Sequence, residues 1–319
     1  GLALQRVRPT LRLGVKSWFA LETAYDLLPI IGDTSKTDVG FAVAQPNPLR
    51  LADLDQKLAT GTGWQLQQNL DRVVFRFMHP RFEVRVGRQA IGLGAALIFP
   101  AVDLFAPFSP ASMDNEYRRG VDGVRVTVPI GDTMEVEAFA VFKGTEFEKS
   151  VYLLRWQGSF SALDVATALG ASYGLPTLTL SLSGSLGGAG WLVDSAIRVF
   201  SSRHALNFTS IAPVFGRVTV GMSYKFEWGL TLIAEAHFSS GGGASPSAYL
   251  ATTQELAFQV GETYLLGKWY AGVSLSYAIN PLITANLVSI VNAEDASGIL
   301  MPTVSWNLAE NVTLGVGGL

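Results

Sequence analysis

Polar and apolar residues alternate one by one along most of this chain. In Arg6–Gly14, Arg6, Arg8, Thr10 and Arg12 interleave with Val7, Pro9, Leu11 and Leu13. In Phe19–Leu27, the set Ala20, Glu22, Ala24 and Asp26 interleaves with Phe19, Leu21, Thr23 and Tyr25. Thr177–Leu186 sets Leu178, Leu180 and Leu182 against Thr179, Ser181 and Ser183, and Trp269–Ala278 repeats the pattern with Gly272, Ser274 and Ser276 as its small or polar set. A period of two is the signature of strands with one apolar face and one polar face.

The connections alternate in length. Short turns fall near Lys16–Ser17, Met78–Pro80, Ile130–Asp132, Gly158–Ser161, Gly187–Gly190, Trp228–Gly229, Asn280–Pro281 and Ala309–Asn311. Longer connections fall at Pro29–Gly63, Ala95–Gly120, Ser201–Phe215 and Ser239–Thr263. Hairpins with short turns at one end and long loops at the other form a transmembrane, antiparallel, up-and-down β-barrel, an all-β fold. The pattern predicts about 16 strands here and about 18 in the full protein, enough to enclose an aqueous lumen. Residues 1–319 are expected to be one barrel domain, trimmed at both ends. One helix is expected, over Leu51–Ala59 in the first long connection.

Composition supports this reading. The chain is 49% hydrophobic but only 15% charged, against about 25% charged in soluble domains. Yet no run of about 18 apolar residues offers a transmembrane helix. Aromatic residues near the short turns (Trp18, Phe19, Phe77, Phe82, Trp156, Phe160, Phe226, Trp228 and Trp306) fit an interfacial girdle. There is no Cys, and the net charge of −3 does not suggest a nucleic-acid partner. The expected location is the bacterial outer membrane, with lipid and lipopolysaccharide as partners. A soluble β-rich or α/β enzyme is the reading this argues against. The three His residues, His79, His204 and His237, stand beside no partnered nucleophile, so neither an enzyme nor a cofactor or metal site is expected.

Two segments carry a resemblance. Gly87-Arg88-Gln89, Gly94 and Leu97-Ile98 are followed by Arg118-Arg119 and Val121-Asp122-Gly123-Val124-Arg125. This resembles the alginate-export family of outer-membrane porins, with Val121 in place of that family's Phe. The match covers Val84–Val128; the rest fits only by barrel pattern. The resemblance implies an 18-stranded barrel whose arginine-lined pore passes an acidic polysaccharide.

Strand parity places Arg6, Arg8, Arg12, Arg72, Arg76, Arg81, Arg85 and Arg125 on the polar, inward face near the N-terminus. Arginine suits such a pore because its planar fork makes paired hydrogen bonds to carboxylates and stays charged. Glu22, Asp26, Glu83, Glu135 and Glu137 share that face, so cross-strand bracing competes with anion conduction as the role of these arginines. Arg88 poses its own problem. In a regular strand it points with Phe82, Val84 and Val86, toward lipid. A β-bulge at Gly87–Arg88 would turn it into the pore and turn Ile91 and Leu93 outward; otherwise Arg88 sits at the outer interface. The Pro- and Phe-rich segment Ala95–Asn115 is a candidate constriction loop through Phe99, Phe105 and Phe108, or else a lid on the rim. A pore for an anionic polysaccharide or other polar solute is the leading functional expectation. The alternative is a structural barrel in an envelope assembly, with periplasmic or envelope-complex proteins as partners.

Overall fold

The computed structural model describes residues 3–31, 49–105, 118–199, 214–310 and 312–318. The first strands are β1 (Ala3–Leu4), β2 (Thr10–Lys16), β3 (Phe19–Ile31), β4 (Gln56–Gly61), β5 (Trp64–His79) and β6 (Phe82–Gln89). Next come β7 (Val121–Ile130), β8 (Met134–Val141), β9 (Val151–Phe160), β10 (Leu163–Ser172), β11 (Leu175–Leu186) and β12 (Ala189–Val199). The last are β13 (Val214–Lys225), β14 (Leu230–Ser239), β15 (Trp269–Asn280), β16 (Ile283–Asn292), β17 (Gly298–Ala309) and β18 (Val312–Gly317). All eighteen lie in one sheet. β1 and β2 pair successive stretches of β3, and β4 and β6 pair successive stretches of β5. Among the described residues, eighteen strands less these two doublings leave sixteen lanes, the number the alternation predicts. Each lane runs antiparallel to the next.

The burial pattern is the reverse of a soluble sheet's. On β11, Thr177, Thr179 and Ser181 are buried while Leu178 and Leu180 are exposed. On β13, Arg217 and Thr219 are buried while Val220 and Met222 are exposed. An apolar surface this extensive is a liability in water and the required surface in lipid, where the polar set faces the barrel interior. Aromatic rings gather at the short-turn end, as the girdle reading expects. Trp18 stacks on Phe77, Trp156 lies against Phe160, and Tyr224, Phe226, Trp228 and Tyr277 form a chain of ring contacts.

The expected helix over Leu51–Ala59 is not formed. Asp53 Oδ1 accepts the Asp55 amide, a turn that competes with helix, and Gln56–Gly61 instead pairs with β5. Gly63, with φ +74°, closes the hairpin.

Part of the interior is filled. Val121, Phe139, Val141, Val151 and Leu153 share the inward parity of Arg125, Glu137 and Arg155. They pack with Leu49, Ile91, Leu93, Val102, Leu104 and Phe105 in one buried apolar cluster. The chain leaving β6 therefore turns into the barrel, and residues 90–105 form a strap across it.

Candidate functional site: an arginine ladder beside an inward strap

Three arginines stand in register across adjacent strands, Arg76 on β5 opposite Arg85 on β6, and Arg85 opposite Arg125 on β7. Like charges directly opposite destabilise a sheet, so the ladder needs counter-charge. Glu83 accepts from Arg76 at 2.6 Å and also from Arg85. Glu137 accepts from Arg125 Nε and Arg155 Nη1, each at 2.7 Å. Four guanidiniums thus share two carboxylates, a surplus of two positive charges. Arg76 and Arg85 keep about a third of their side-chain surface open, whereas Glu137 is fully buried.

The other arginines expected on the wall divide differently. Arg8 bonds Asp26 and Asp71, and Arg72 bonds Asp71. Arg50, which parity did not single out, reaches Asp55, Asn69 and the Gly120 carbonyl. These groups form a buried brace joining β3 and β5 to the segment before β4, so Arg8 and Arg72 do not line an open pore. Arg12 is exposed and 3.6 Å from Glu22. Arg6 is half-buried near the brace, and Arg81 lies in the exposed turn between β5 and β6 rather than on the wall.

Arg88 corrects the bulge expectation. Val86, Gly87 and Arg88 pair with Phe75, Val74 and Val73 on one side and with Val124, Gly123 and Asp122 on the other, with no slip. The bulge is on the neighbouring strand, where Asp71 is skipped between Ala24↔Arg72 and Tyr25↔Leu70. Gly87 does adopt φ +114°, and a Cβ there would meet the Val73 carbonyl at 2.1 Å. Arg88 points neither to lipid nor to open lumen. It is 5% exposed, grips Asp122 through Nε at 2.6 Å and Nη2 at 2.8 Å, and donates to the Leu70 and Ala52 carbonyls. Ile91 and Leu93 do not face lipid either. The strand ends at Gln89, and both residues enter the interior cluster.

The strap is held by two carboxylates. Asp194 Oδ2 on β12 accepts the Ala95 and Ala96 amides, each at 3.0 Å. Glu235 on β14 accepts the Leu97, Ile98 and Phe99 amides at 2.7, 3.0 and 2.8 Å. Thr219 donates to the Phe99 carbonyl at 2.7 Å and meets His237 Nδ1 at 2.9 Å. Phe99 packs on His237 and Tyr270, and Phe105 on Phe139. The two rings are buried anchors, and the large apolar side chain the strap leaves exposed among the described residues is Leu97, at 68%. Phe108 lies outside the described residues, as does His204. Asp103 pairs with Arg118.

A second connection, between β14 and β15, carries two short helical turns, Tyr249–Thr252 and Leu256–Gln259, and buries Leu256 in the same interior cluster. On the short-turn side of the strap a cavity of about 570 Å³ is lined by Leu93, Asp132, Glu135, Arg155, Asp164 and Ser181, among others.

The resemblance motif has a physical meaning here. Gly87-Arg88-Gln89 lies in register against Val121-Asp122-Gly123, the Arg88–Asp122 pair locks the strands, and Gln89 Nε2 donates to the Gly123 carbonyl. Arg118 ties the strap through Asp103, and burial beside Arg50 pulls Arg119 down to about 10. Sequence reasoning missed Arg155, Asp194, Glu235 and Glu262. The inward parity of Arg155, Asp194 and Glu235 was available, but Asp194 and Glu235 hold strap amides about 100 to 140 residues away along the chain, and Glu262 lies in a connection that parity does not reach.

No family model matches the chain, and no curated protein matches it in sequence. Solved structures match in fold. A triple mutant of the Rhodopseudomonas blastica porin superposes with a TM-score of 0.54 at 10% identity, over 99% of this chain and 91% of that one. Another mutant of that porin gives 0.55 at 11% identity, over 95% and 89%. A structure described as asymmetric conductivity of engineered proteins gives 0.55 at 11%, over 95% and 89%. The fold is that of an outer-membrane porin barrel.

Proposed function

We propose that this chain is a bacterial outer-membrane channel for polar solutes with a preference for anions, and that an acidic polysaccharide is its cargo. One observation carries the preference: among the described residues, Arg76, Arg85, Arg125 and Arg155 make direct ion pairs with Glu83 and Glu137 alone. The unmatched positive charge on a partly open wall raises local anion concentration, and the planar guanidinium fork fits carboxylates two bonds at a time. The resemblance of Val84–Val128 to the alginate-export porins adds the polysaccharide as the specific cargo.

The test is conductance in planar bilayers under a potassium chloride gradient. The reversal potential should report anion preference, and a soluble polyuronate should reduce the current. Arg76→Gln combined with Arg85→Gln should move the permeability ratio toward unity. Cation preference in the unaltered protein overturns the proposal. A second reading, a structural barrel of an envelope assembly, draws on the filled interior around Phe105 and Phe139. A barrel that never conducts and co-purifies with stoichiometric partners favours it.

A further inference from the structure

The inward faces of β12 and β13 end in two arginines, Arg198 and Arg217, on neighbouring strands. Both are almost fully buried, at 3% and 2% exposure. One carboxylate meets them. Glu262, from the connection between β14 and β15, lies 2.7 Å from Arg198 Nη2 and 3.3 Å from Arg217 Nη2, and its carbonyl accepts from Arg217 Nη1 at 2.7 Å. Ser172 Oγ accepts from Arg198 Nη2 at 3.0 Å. The cluster holds two positive charges against one negative.

Its remaining polar atoms are nearly all donors. Arg198 Nε and Nη1, Arg217 Nε and the Tyr173 hydroxyl are buried without a hydrogen-bond partner among the described residues. Tyr173 is itself held in a left-handed backbone conformation, φ 53°, with its ring buried. The Lys143 ammonium stands 6.0 Å from that ring, adding to the positive field, although Glu146 lies 3.7 Å from it. Buried donors are ordinarily satisfied, and buried charge is ordinarily balanced. Tyr173 follows Ser172, which accepts from Arg198, and its hydroxyl feels the charges of Glu262 and Arg198, so both shortfalls have the same sign and fall in one place.

We infer that Arg198, Arg217 and Tyr173 form a closed site for one small monovalent anion, with the charge and size of chloride. The charge follows from the surplus of one. The preference for an anion over water follows from the donor set, because guanidinium N–H groups only donate and an anion accepts from all of them. The size follows from closure: Ser172, Tyr173, Arg198, Arg217 and Glu262 are each less than a tenth exposed, so no polymeric solute enters. The site is independent of what the channel conducts. Its consequence is structural, because the anion would fasten the β14–β15 connection, through Glu262, to the wall at β12 and β13.

The experiment uses the whole chain in detergent, with chloride exchanged for gluconate at constant ionic strength. The thermal midpoint should fall without chloride and recover saturably as chloride or bromide is restored. Crystals grown with bromide should show an anomalous peak among Arg198, Arg217 and Tyr173. Arg198→Met leaves Arg217 balanced by Glu262 and should abolish the halide response. Should that variant not fold, Tyr173→Phe removes a donor without changing charge, and should raise the halide concentration for half-maximal recovery. Equal midpoints in chloride and gluconate, a halide response unchanged in the variant that folds, or ordered water alone at the cluster each overturn the inference.

Discussion

Two stretches of this barrel wall solve the problem of a polar interior differently. β2 to β9 carry Arg12, Glu22, Asp26, Arg72, Arg76, Glu83, Arg85, Arg125, Glu137 and Arg155. β15 to β18 carry no Asp, Glu, Lys or Arg at all. Their inward faces present Ser274, Ser276, Thr284, Asn286, Thr303 and Ser305, brought side by side by the register and half-buried. On the charged strands, the deepest groups need partners from other strands and from the segment before β4, and the result is a braced and partly covered wall. On the uncharged strands the covering by the strap among the described residues is apolar, where its Ile98 and Phe99 pack with Ile290 and Met301, and the half-buried hydroxyls and amides need no charged partner. Under the proposed function, the passage would run between the open edge of the arginine ladder and the uncharged strands, with charge supplied from one side.

The charged wall depends most on Glu137. Glu137→Gln leaves Arg125 and Arg155 without their shared counter-charge, and breaking a buried pair costs about 3–5 kcal/mol. Denaturant unfolding of the detergent-solubilised barrel should show it, whereas Ser305→Ala on the uncharged stretch should leave the midpoint nearly unchanged. The assignment of faces is sharpened within one strand. Val304→Arg places a charge in lipid at about 2–4 kcal/mol, while Thr303→Arg, one residue away, faces water and should fold into vesicles almost as well as the parent. Glu235→Ala removes the acceptor of three strap amides, at about 1–3 kcal/mol for each donor left unpaired. Single-channel conductance should rise as the strap loosens from its β14 anchor; an unchanged conductance would place the passage elsewhere.

The smallest expected effect is on pH. Asp295, in the β16–β17 connection, is held below the usual carboxylate range by the hydroxyl and amide of Ser297, and it accepts the Tyr249 hydroxyl. Because its folded pKa is depressed, the stabilisation is complete above the unfolded carboxylate value and is lost as pH falls through the folded one. Hydrogen exchange at Tyr249 and Ser297 should therefore speed up in acid relative to the β16–β17 ladder.

The barrel was legible because lipid imposes a simple rule. Leu178, Leu180, Val220 and Met222 face out while Thr179, Ser181 and Thr219 face in, and this parity can be read from neighbours in the chain. Short turns such as Gly187–Gly188 mark themselves by composition and positive φ. Site chemistry was only half legible. Parity correctly put Arg76, Arg85 and Arg125 on one wall. It could not say that Arg8 and Arg72 are consumed by Asp26 and Asp71, nor that the irregularity near Arg88 is resolved by a skipped residue on β5. Leu51–Ala59 read as a helix because its apolar spacing suits one, and pairing with β5 overrode that preference.

What the sequence determined by itself was the architecture: alternation with period two fixes which residues meet lipid, and loop lengths fix the up-and-down order. What only the tertiary structure decided was the interior. Whether an inward arginine is free or spent depends on carboxylates far away in the chain, as with Arg8 and Asp71 or Arg198 and Glu262. The path of residues 90–105 was decided the same way, by Asp194 and Glu235 on the opposite wall. Burial makes those pairings energetically decisive, since an unmatched charge or amide inside the barrel has little water to turn to.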